Sequence, residues 1–408
     1  MRRLHWRDFA ALAPKMSSEQ RRTASIAASA HALHDGYTDL IYVMLPLWQA
    51  EFGLAYAALG ALRGVFVGAM ASLQIPAGLL SERYGAAFVL ALGTALAGLG
   101  YCLAGASAGF AMLLGALFIG GAGSSAQHPV ASALVARAFA GPRSLPALGS
   151  YNFSGDLGKM TIPAALSLML LVMTWRQALP ILGAVGIVLA GAILLFAPRY
   201  SNVAAGPNVR TEIGGDGPPP RRAFALLLSI GIFDSATRMG FLLFLPFVLT
   251  AKGASLQTIG LAMTLVFAGG AAGKLACTFI GARIGAIGTV FLTETLTAAG
   301  ILALFPLPLA GALALLPPLG VALNGTSSVL YGSVPDLVAP HWRTRALSIF
   351  YTGTIGSGAI APVVFGRAGD ALGLWPALLG VAAMALVTLP LAALLRPALA
   401  RRYDSLPL

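Results

Sequence analysis

The sequence predicts an all-α membrane protein of twelve transmembrane helices arranged as two pseudo-symmetric six-helix bundles. Three observations carry that prediction. Of 408 residues, 58% are hydrophobic and only 10% charged, against roughly 25% charged in an ordinary soluble domain. The apolar runs reach the length of about 20 residues that a helix needs to cross the hydrocarbon core, whereas a transmembrane barrel shows alternating segments of about 10. A shift of 200 positions superposes Leu45-Pro46 on Leu245-Pro246, Gly53 on Gly253, Gly60 on Gly260, Ala71 on Ala271, and Arg83 with Gly85 on Arg283 with Gly285.

The first six spans are read at 24–50, 56–80, 87–107, 109–137, 144–170 and 175–197, and the second six at 223–250, 255–280, 286–308, 310–336, 343–371 and 373–396. The polar, basic stretch 1–23 is expected to be a cytoplasmic segment. The first apolar run continues past the length of a signal-peptide core, so no cleavable leader is expected. Between the halves, 198–222 contains Gly214-Gly215-Asp216-Gly217-Pro218-Pro219-Pro220, which cannot continue a helix and reads as a cytoplasmic linker. Residues 397–408 form the expected cytoplasmic tail.

Charge sets the expected orientation. The chain carries 26 Lys and Arg against 14 Asp and Glu, a net +12. In a soluble protein that excess would point to nucleic acid, but here no basic stripe is interleaved with aromatics, and nucleic acid is not an expected partner. Nineteen basic residues fall on the side that holds both termini, and only Arg176 and Lys252 on the other. Both termini are therefore expected in the cytoplasm, by the positive-inside rule, with the bacterial inner membrane as the location. Arg63, Lys159, Arg238, Lys274 and Arg367 remain inside spans. Cys102 and Cys277 lie far apart in apolar runs and imply neither a disulfide framework nor a metal site.

The loop after the second span reads Gly78-Leu79-Leu80-Ser81-Glu82-Arg83-Tyr84-Gly85. It resembles the signature of the major facilitator superfamily: a Gly, an acidic residue, an Arg and a Gly between the second and third helices. Glu82 replaces the usual Asp, Ala86 and Ala87 stand where basic residues are common, and Arg283 with Gly285 is a weaker echo. The resemblance implies a cytoplasmic latch, with Glu82, Arg83, Gly85 and Arg283 governing a conformational switch. Three further segments resemble the fosmidomycin-resistance branch: His31-Ala32-Leu33-His34-Asp35 with Pro46; Glu51-Phe52-Gly53-Leu54-Ala55-Tyr56-Ala57-Ala58-Leu59-Gly60; and Gly121-Ala122-Gly123-Ser124-Ser125-Ala126-Gln127-His128-Pro129. The superfamily resemblance covers the whole chain and the branch resemblance mostly the first half. It implies alternating access of two bundles around a central cavity, usually driven by protons. Asp156 and Lys159 depart from the branch, which tends to have a largely uncharged, Gly-rich run there.

An ionisable side chain inside a span costs about 2.5–3.5 kcal/mol on insertion scales, so each one asks for a partner or a role. His31, His34, Asp35, Thr38, Asp39 and Tyr42 recur at helical steps as one polar face. They read either as cavity lining with proton handling or as histidines hydrogen-bonded to neighbouring helices. Arg63 suits a carboxylate, phosphate or phosphonate, or else pairs with Asp35 or Asp39. Asp156 and Lys159, with Asn152 a turn earlier, and likewise Asp234 and Arg238, are spaced either to neutralise themselves or to meet a substrate. Asp234 falls at the repeat position of His34. Lys274 aligns with Gln74, and Glu294, on a peripheral ninth helix, is expected to pair with a neighbour or reach an interface. Pro129 is expected to kink the fourth helix beside Ser124, Ser125, Gln127 and His128, with Asn324, Ser327, Ser328 and Tyr331 as a counterpart in the tenth. Gly120-Gly121 and Gly269-Gly270 read as close helix packing.

The expected function is proton-coupled secondary transport of a small organic solute. Because the intramembrane cations exceed what proton coupling requires, that solute is expected to be anionic. Substrate contacts are expected from Tyr42, Arg63, His128, Asn152, Lys159, Arg238, Lys274 and Asn324, and proton coupling from Asp35 first, with His34, Asp39, Asp156 and Asp234. Resemblance favours drug or phosphonate-type efflux by proton antiport, with uptake of an organic anion by proton symport as the alternative. An enzyme is disfavoured because no nucleotide loop, metal-spaced cluster or sizeable soluble domain is visible. A non-transporting scaffold is disfavoured by the polar face of the first helix. No cofactor or metal is expected, and the bilayer, protons and solute are the expected partners of a monomer.

Overall fold

The computed structural model describes residues 16–139, 143–198, 221–339 and 342–403. The expected segment before 16, the linker at 199–220 and the tail beyond 403 lie outside the described residues. Twelve helical segments cross the described structure. Helix α1 is Ser18–Phe52, and α2 is Tyr56–Ser72 continued by Gln74–Tyr84. They are followed by α3 (Ala86–Gly105), α4 (Phe110–Ser124 continued through Ser132–Ala138), α5 (Ser144–Met169) and α6 (Trp175–Phe196). In the second half α7 is Arg221–Ala251, and the run Leu256–Ala303 supplies α8 and α9. Next come α10 (Leu309–Leu337), α11 (Arg343–Leu372) and α12 (Leu374–Tyr403).

Local chemistry fixes these ends and bends. Ser17 and Gln20 exchange side-chain-to-backbone hydrogen bonds of 3.1 Å, a capping box that starts α1 six residues before the expected span. The two parts of α2 meet at 43°, where Pro76 removes a backbone donor. In α4 the turn widens to a π-helix at Gln127–Ala131, around Pro129. At Gly285, φ is 75°, a left-handed conformation that suits glycine, and there α8 ends and α9 begins. Helix α12 continues to Tyr403, past the expected start of the tail at 397. Among the described residues, ten segments are long and apolar enough to cross a membrane if the bent α2 counts as one. The two that fall short are α1 and α5, which carry His31, His34, Asp35, Asp39, Asp156 and Lys159.

The repeat seen in the sequence reappears in the backbone. Gly53 and Gly253 have φ of 63° and 84°, and Gly85 and Gly285 have 91° and 75°, so turns of the same hand end equivalent helices. Close packing repeats too. A Cβ on Gly121 would lie 2.2 Å from the Phe66 carbonyl oxygen, pressing α4 on α2, and one on Gly269 would lie 2.1 Å from that of Pro317, pressing α8 on α10.

The halves meet at the end away from the termini and part at the other. One buried apolar cluster joins both halves, from Tyr37 to Trp48 on α1 and from Phe241 to Leu249 on α7. Toward the termini each half keeps its own cluster, one around Leu90, Val130 and Ile193, the other around Ile230, Phe350 and Leu395. Glycines on one face of α2 mark the divergence. Cβ atoms on Gly60 and Gly64 would lie 2.2 and 2.5 Å from the carbonyl oxygens of Pro362 and Ala359 on α11, while one on Gly68 would meet nothing within 4 Å. At the closed end the Asp370 carboxylate accepts hydrogen bonds of 2.6 and 2.9 Å from the Tyr56 and Ala57 amides, capping α2 from the opposite half.

The two cations on this face have local roles. Arg176 bonds Glu51 and the Ser107 carbonyl at 2.5 Å each, and Lys252 donates to the Phe305 and Leu307 carbonyls at 3.2 and 2.7 Å. We expect Gly60→Ala to separate α2 from α11 and Gly68→Ala to leave them in place. Spin-label distances between positions 55 and 372 should lengthen in the first variant and match the parent in the second.

Candidate functional site

Between the halves, above the shared apolar core, lies a cavity of about 340 Å³, within the size range of small-molecule sites. Its wall includes Asp35, Thr38 and Asp39 from α1, Arg63 from α2, His128 from α4, and Asp156 with Lys159 from α5. The second half contributes Asp234 and Arg238 from α7, Lys274 from α8, Asn324 and Tyr331 from α10, and Tyr351 with Thr354 from α11.

Each of the four cavity cations stands against a carboxylate. Arg63 Nη2 lies 3.3 Å from Asp39, Lys159 Nζ 3.3 Å from Asp35, Lys274 Nζ 2.5 Å from Asp156, and Arg238 Nη2 3.6 Å from Asp234. The spacing of Asp156 and Lys159 on α5 is compatible with mutual neutralisation, yet each turns to another helix, because α5 sits between α1 and α8. Glycine makes the approach possible. A Cβ on Gly158 would meet the Ala32 backbone, and one on Gly155 would lie 2.6 Å from Asp35 Oδ2. Arg63 chooses Asp39 over Asp35. Asp234 and Arg238 do pair along their own helix, and Arg238 also reaches Asn324 at 3.4 Å.

The pairs leave donors over. Arg63 is 2% exposed, and its Nε and Nη1, like Nε of Arg238, have no hydrogen-bond partner among the described residues. These donors are closed off beside the cavity rather than open into it; a guanidinium fork of this kind suits the paired oxygens of a carboxylate or phosphonate once the side chain turns toward the chamber. The cavity cations thus do not exceed their counter-charges. The unused hydrogen-bonding capacity lies on the two guanidinium groups at the cavity wall, buried in this conformation.

His31 Nδ1 donates to the Tyr151 carbonyl at 2.8 Å, and its Nε2 lies 3.5 Å from Asp35. The ring stacks on Tyr151 with centroids 4.2 Å apart and meets His128 edge-on at 5.3 Å. Ligand atoms of His31, Asp35 and His128 lie within 4.8 Å of one another, a cluster that no spacing in the sequence announces. The Lys159 ammonium against Asp35 already supplies the positive charge a cation would bring.

Three expected site residues stand elsewhere. His34 is buried within the first half, 3.1 Å from both the Ser124 and Thr94 hydroxyls. Tyr42 is fully buried, with its hydroxyl on the Met239 sulfur and its ring beneath the Arg63 guanidinium, 4.9 Å from the centroid. Asn152 is exposed and off the cavity wall. Helical geometry explains His34 and Tyr42: successive residues project about 100° apart, so an α1 polar face this wide cannot all front one cavity. The wall from α11 was not anticipated, since Tyr351 and Thr354 carry no charge to mark them. Glu82, Arg83 and Arg283 are at the open end and exposed, with Arg83 over the Tyr84 ring at 5.3 Å.

Fold and cavity together define a multi-pass membrane protein of two repeated six-helix halves around a charged central chamber. The Major Facilitator Superfamily model matches residues 27–228. Over 133 residues the chain is 31% identical to the Fosmidomycin resistance protein of Escherichia coli (strain K12), covering 33% of this chain and 32% of that one. It is 29% identical over 152 residues to the Probable L-galactonate transporter of the same organism, covering 37% and 34%. The matched stretches thus span about a third of the length of either relative.

Across nearly the whole chain the fold matches a bacterial homolog of the human lysosomal transporter Spinster in its inward-facing, unoccupied conformation. The TM-score there is 0.80 at 15% identity, covering 95% of this chain and 99% of that one. The nucleoside transporter NupG matches with a TM-score of 0.75 at 15% identity, covering 94% and 99%. The chain belongs to the Major Facilitator Superfamily. These relatives and neighbours are transporters rather than enzymes.

Removing one member of a buried ion pair strands the other, at a cost of about 3–5 kcal/mol, whereas removing both costs far less. Asp39→Ala is therefore expected to lower the thermal unfolding temperature of the detergent-purified protein sharply. Adding Arg63→Met to it should restore most of the loss.

Proposed function

We propose that the protein is a proton-coupled secondary transporter of a small organic anion, working by alternating access of its two halves. The observation that carries this reading is Arg63: a buried guanidinium on the cavity wall, paired with Asp39 yet with two donors unused. A bound carboxylate or phosphonate would engage them once the Arg63 side chain turns into the chamber, and Arg238, Lys159 and Lys274 stand around the same chamber with His128 and Asn324.

Charge balance supports the coupling. Each cation is neutralised by a carboxylate, so an anion that takes over a cation leaves a carboxylate behind without its counter-charge, which a low-dielectric site does not tolerate. A proton arriving on that carboxylate relieves the cost. Anion and proton then favour each other's binding, which suits movement in the same direction. We therefore place symport ahead of the antiport efflux that the sequence resemblance suggests. The name of the L-galactonate relative supports an acid-anion substrate, and that of the fosmidomycin-resistance relative supports export as the second reading.

In this proposal Asp35, Asp39, Asp156 and Asp234 are the carboxylates that exchange partners. Both termini face the cytoplasm of a bacterial inner-membrane protein acting as a monomer, with residues 24–197 and 223–396 as the two moving bundles. Glu82, Arg83, Gly85 and Arg283 would engage when the open end closes.

The purified protein in liposomes should accumulate radiolabelled organic anions, L-galactonate first in the panel, under a pH gradient with the inside alkaline. Arg63→Lys keeps the charge but loses the fork, worth about 1.5–3 kcal/mol as charged hydrogen bonds, and should lower uptake at least tenfold. Equal uptake without the gradient, together with an unaffected Arg63→Lys variant, would refute the proposal.

A further inference from the structure

At the cavity wall the second half holds a carboxyl pair, of which the transport reading uses Asp234 and leaves Glu294 without a role. Asp234 lines the cavity, while Glu294 reaches it from α9 and is not part of the wall. They are 4% and 1% exposed, and their side chains lie within hydrogen-bonding reach of each other. Two carboxylates cannot hydrogen-bond, because neither has a donor; the contact exists only when one of them carries a proton.

Charge counting leads to the same result. Asp35, Asp39 and Asp156 each face a cation of their own, whereas Asp234 and Glu294 have Arg238 between them. Without a proton the pair would bury a net negative charge. Thr326 bonds the Glu294 carboxyl, and no donor reaches its Oε2 among the described residues. The titratable and charged groups facing the pair are Arg238 on α7 and Tyr331 on α10, with Asp39 of α1 facing Arg238 from the other half.

The repeat shows that this is a replacement of one polar contact by another. A shift of 200 positions takes His34 to Asp234 and Thr94 to Glu294. In the first half the corresponding contact is the 3.1 Å hydrogen bond between His34 and Thr94. The second half keeps that inter-helix bridge and builds it from two acids.

We propose that Asp234 and Glu294 form the proton-binding site of this protein, holding one shared proton when Arg238 rests on Asp234 and a second when Arg238 turns to a bound anion. This rests on the proton-coupled reading above and adds to it where the proton resides. Proton transfer here is simple: a hydronium ion in the cavity gives its proton to the Asp234 carboxylate and leaves as water. Glu294, behind, retains the shared proton. Nε of Arg238, unpartnered and closed off while the side chain rests on Asp234, becomes available to the anion when the side chain turns.

Infrared spectroscopy tests the site without any substrate. Full-length purified protein at neutral pH should show the C=O stretch of a protonated carboxyl, shifted in D2O. Glu294→Gln should remove at least half of its amplitude, because Asp234 then has Arg238 to itself. Asp35→Asn should leave it in place. If the glutamine variant is poorly folded, Asp234→Asn serves instead, and should move the band in frequency by ending the acid-to-acid hydrogen bond. A wild-type spectrum without the band, a band that survives Glu294→Gln and Asp234→Asn unchanged, or one that disappears in Asp35→Asn would overturn the proposal. Failure of the transport reading would show separately, as uptake in liposomes that ignores the pH gradient while the infrared band behaves as expected.

Discussion

A charge inside the bilayer has to be matched, and the rest of this structure is organised around that requirement. Asp39 with Arg63 ties α1 to α2, Asp35 with Lys159 ties α1 to α5, and Asp156 with Lys274 ties α5 to α8. Asp234 with Arg238 stays on α7. The pairs leave α1 and α5 too polar to pass for ordinary spans, so their place in the membrane depends on the partners they find. Asp156 with Lys274 is the pair that crosses between halves. It lies on two helices that also touch closer to the sealed end, where Thr264 donates to the Met160 carbonyl at 2.8 Å. A contact placed near such a seam can survive a rocking motion that separates residues farther out.

Backbone and side chains record the internal repeat differently. The left-handed glycines at 53 and 253 and at 85 and 285 have kept their turns, since any Cβ-bearing residue there is strained. Polar positions have diverged: Asp39 is matched by Met239, Arg63 by Met263, and Gln74 by Lys274. Packing demands the same small residues wherever helices press together. The cavity has to be different on its two sides to hold an asymmetric solute, so the charges were free to change.

This difference also decides what the sequence could disclose. Span number, the two-half repeat and the presence of a polar chamber are legible because composition, run length and the shift of 200 report on every helix at once. Partners are not. The spacing of Asp156 and Lys159 is local, but which neighbour each meets depends on how closely α1 and α8 approach α5, and Gly155 and Gly158 set the distance to α1. His34 reads like Asp35 in sequence, yet the helical turn sends it into the bundle interior to Thr94 and Ser124. Glu294 on a peripheral helix was expected to find a neighbour; its acidic partner could be named only once α9 was seen to pack behind α7.

On the proposed mechanism, net charge connects the ion pairs to a cycle of transport. With Glu294 protonated as proposed, four cations and four paired carboxylates sum to a neutral chamber, so an empty carrier can change its facing without dragging charge through the bilayer. With an anion and a proton aboard the chamber is neutral again. With the anion alone it carries one uncompensated negative charge, and burying that as the halves close costs several kcal/mol. The half-loaded carrier is therefore held back at the step where the cavity seals. On the proposed mechanism, coupling needs no signal passed between distant sites: the same rule that pairs every charge in the resting structure permits the two neutral states to reorient and penalises the charged one.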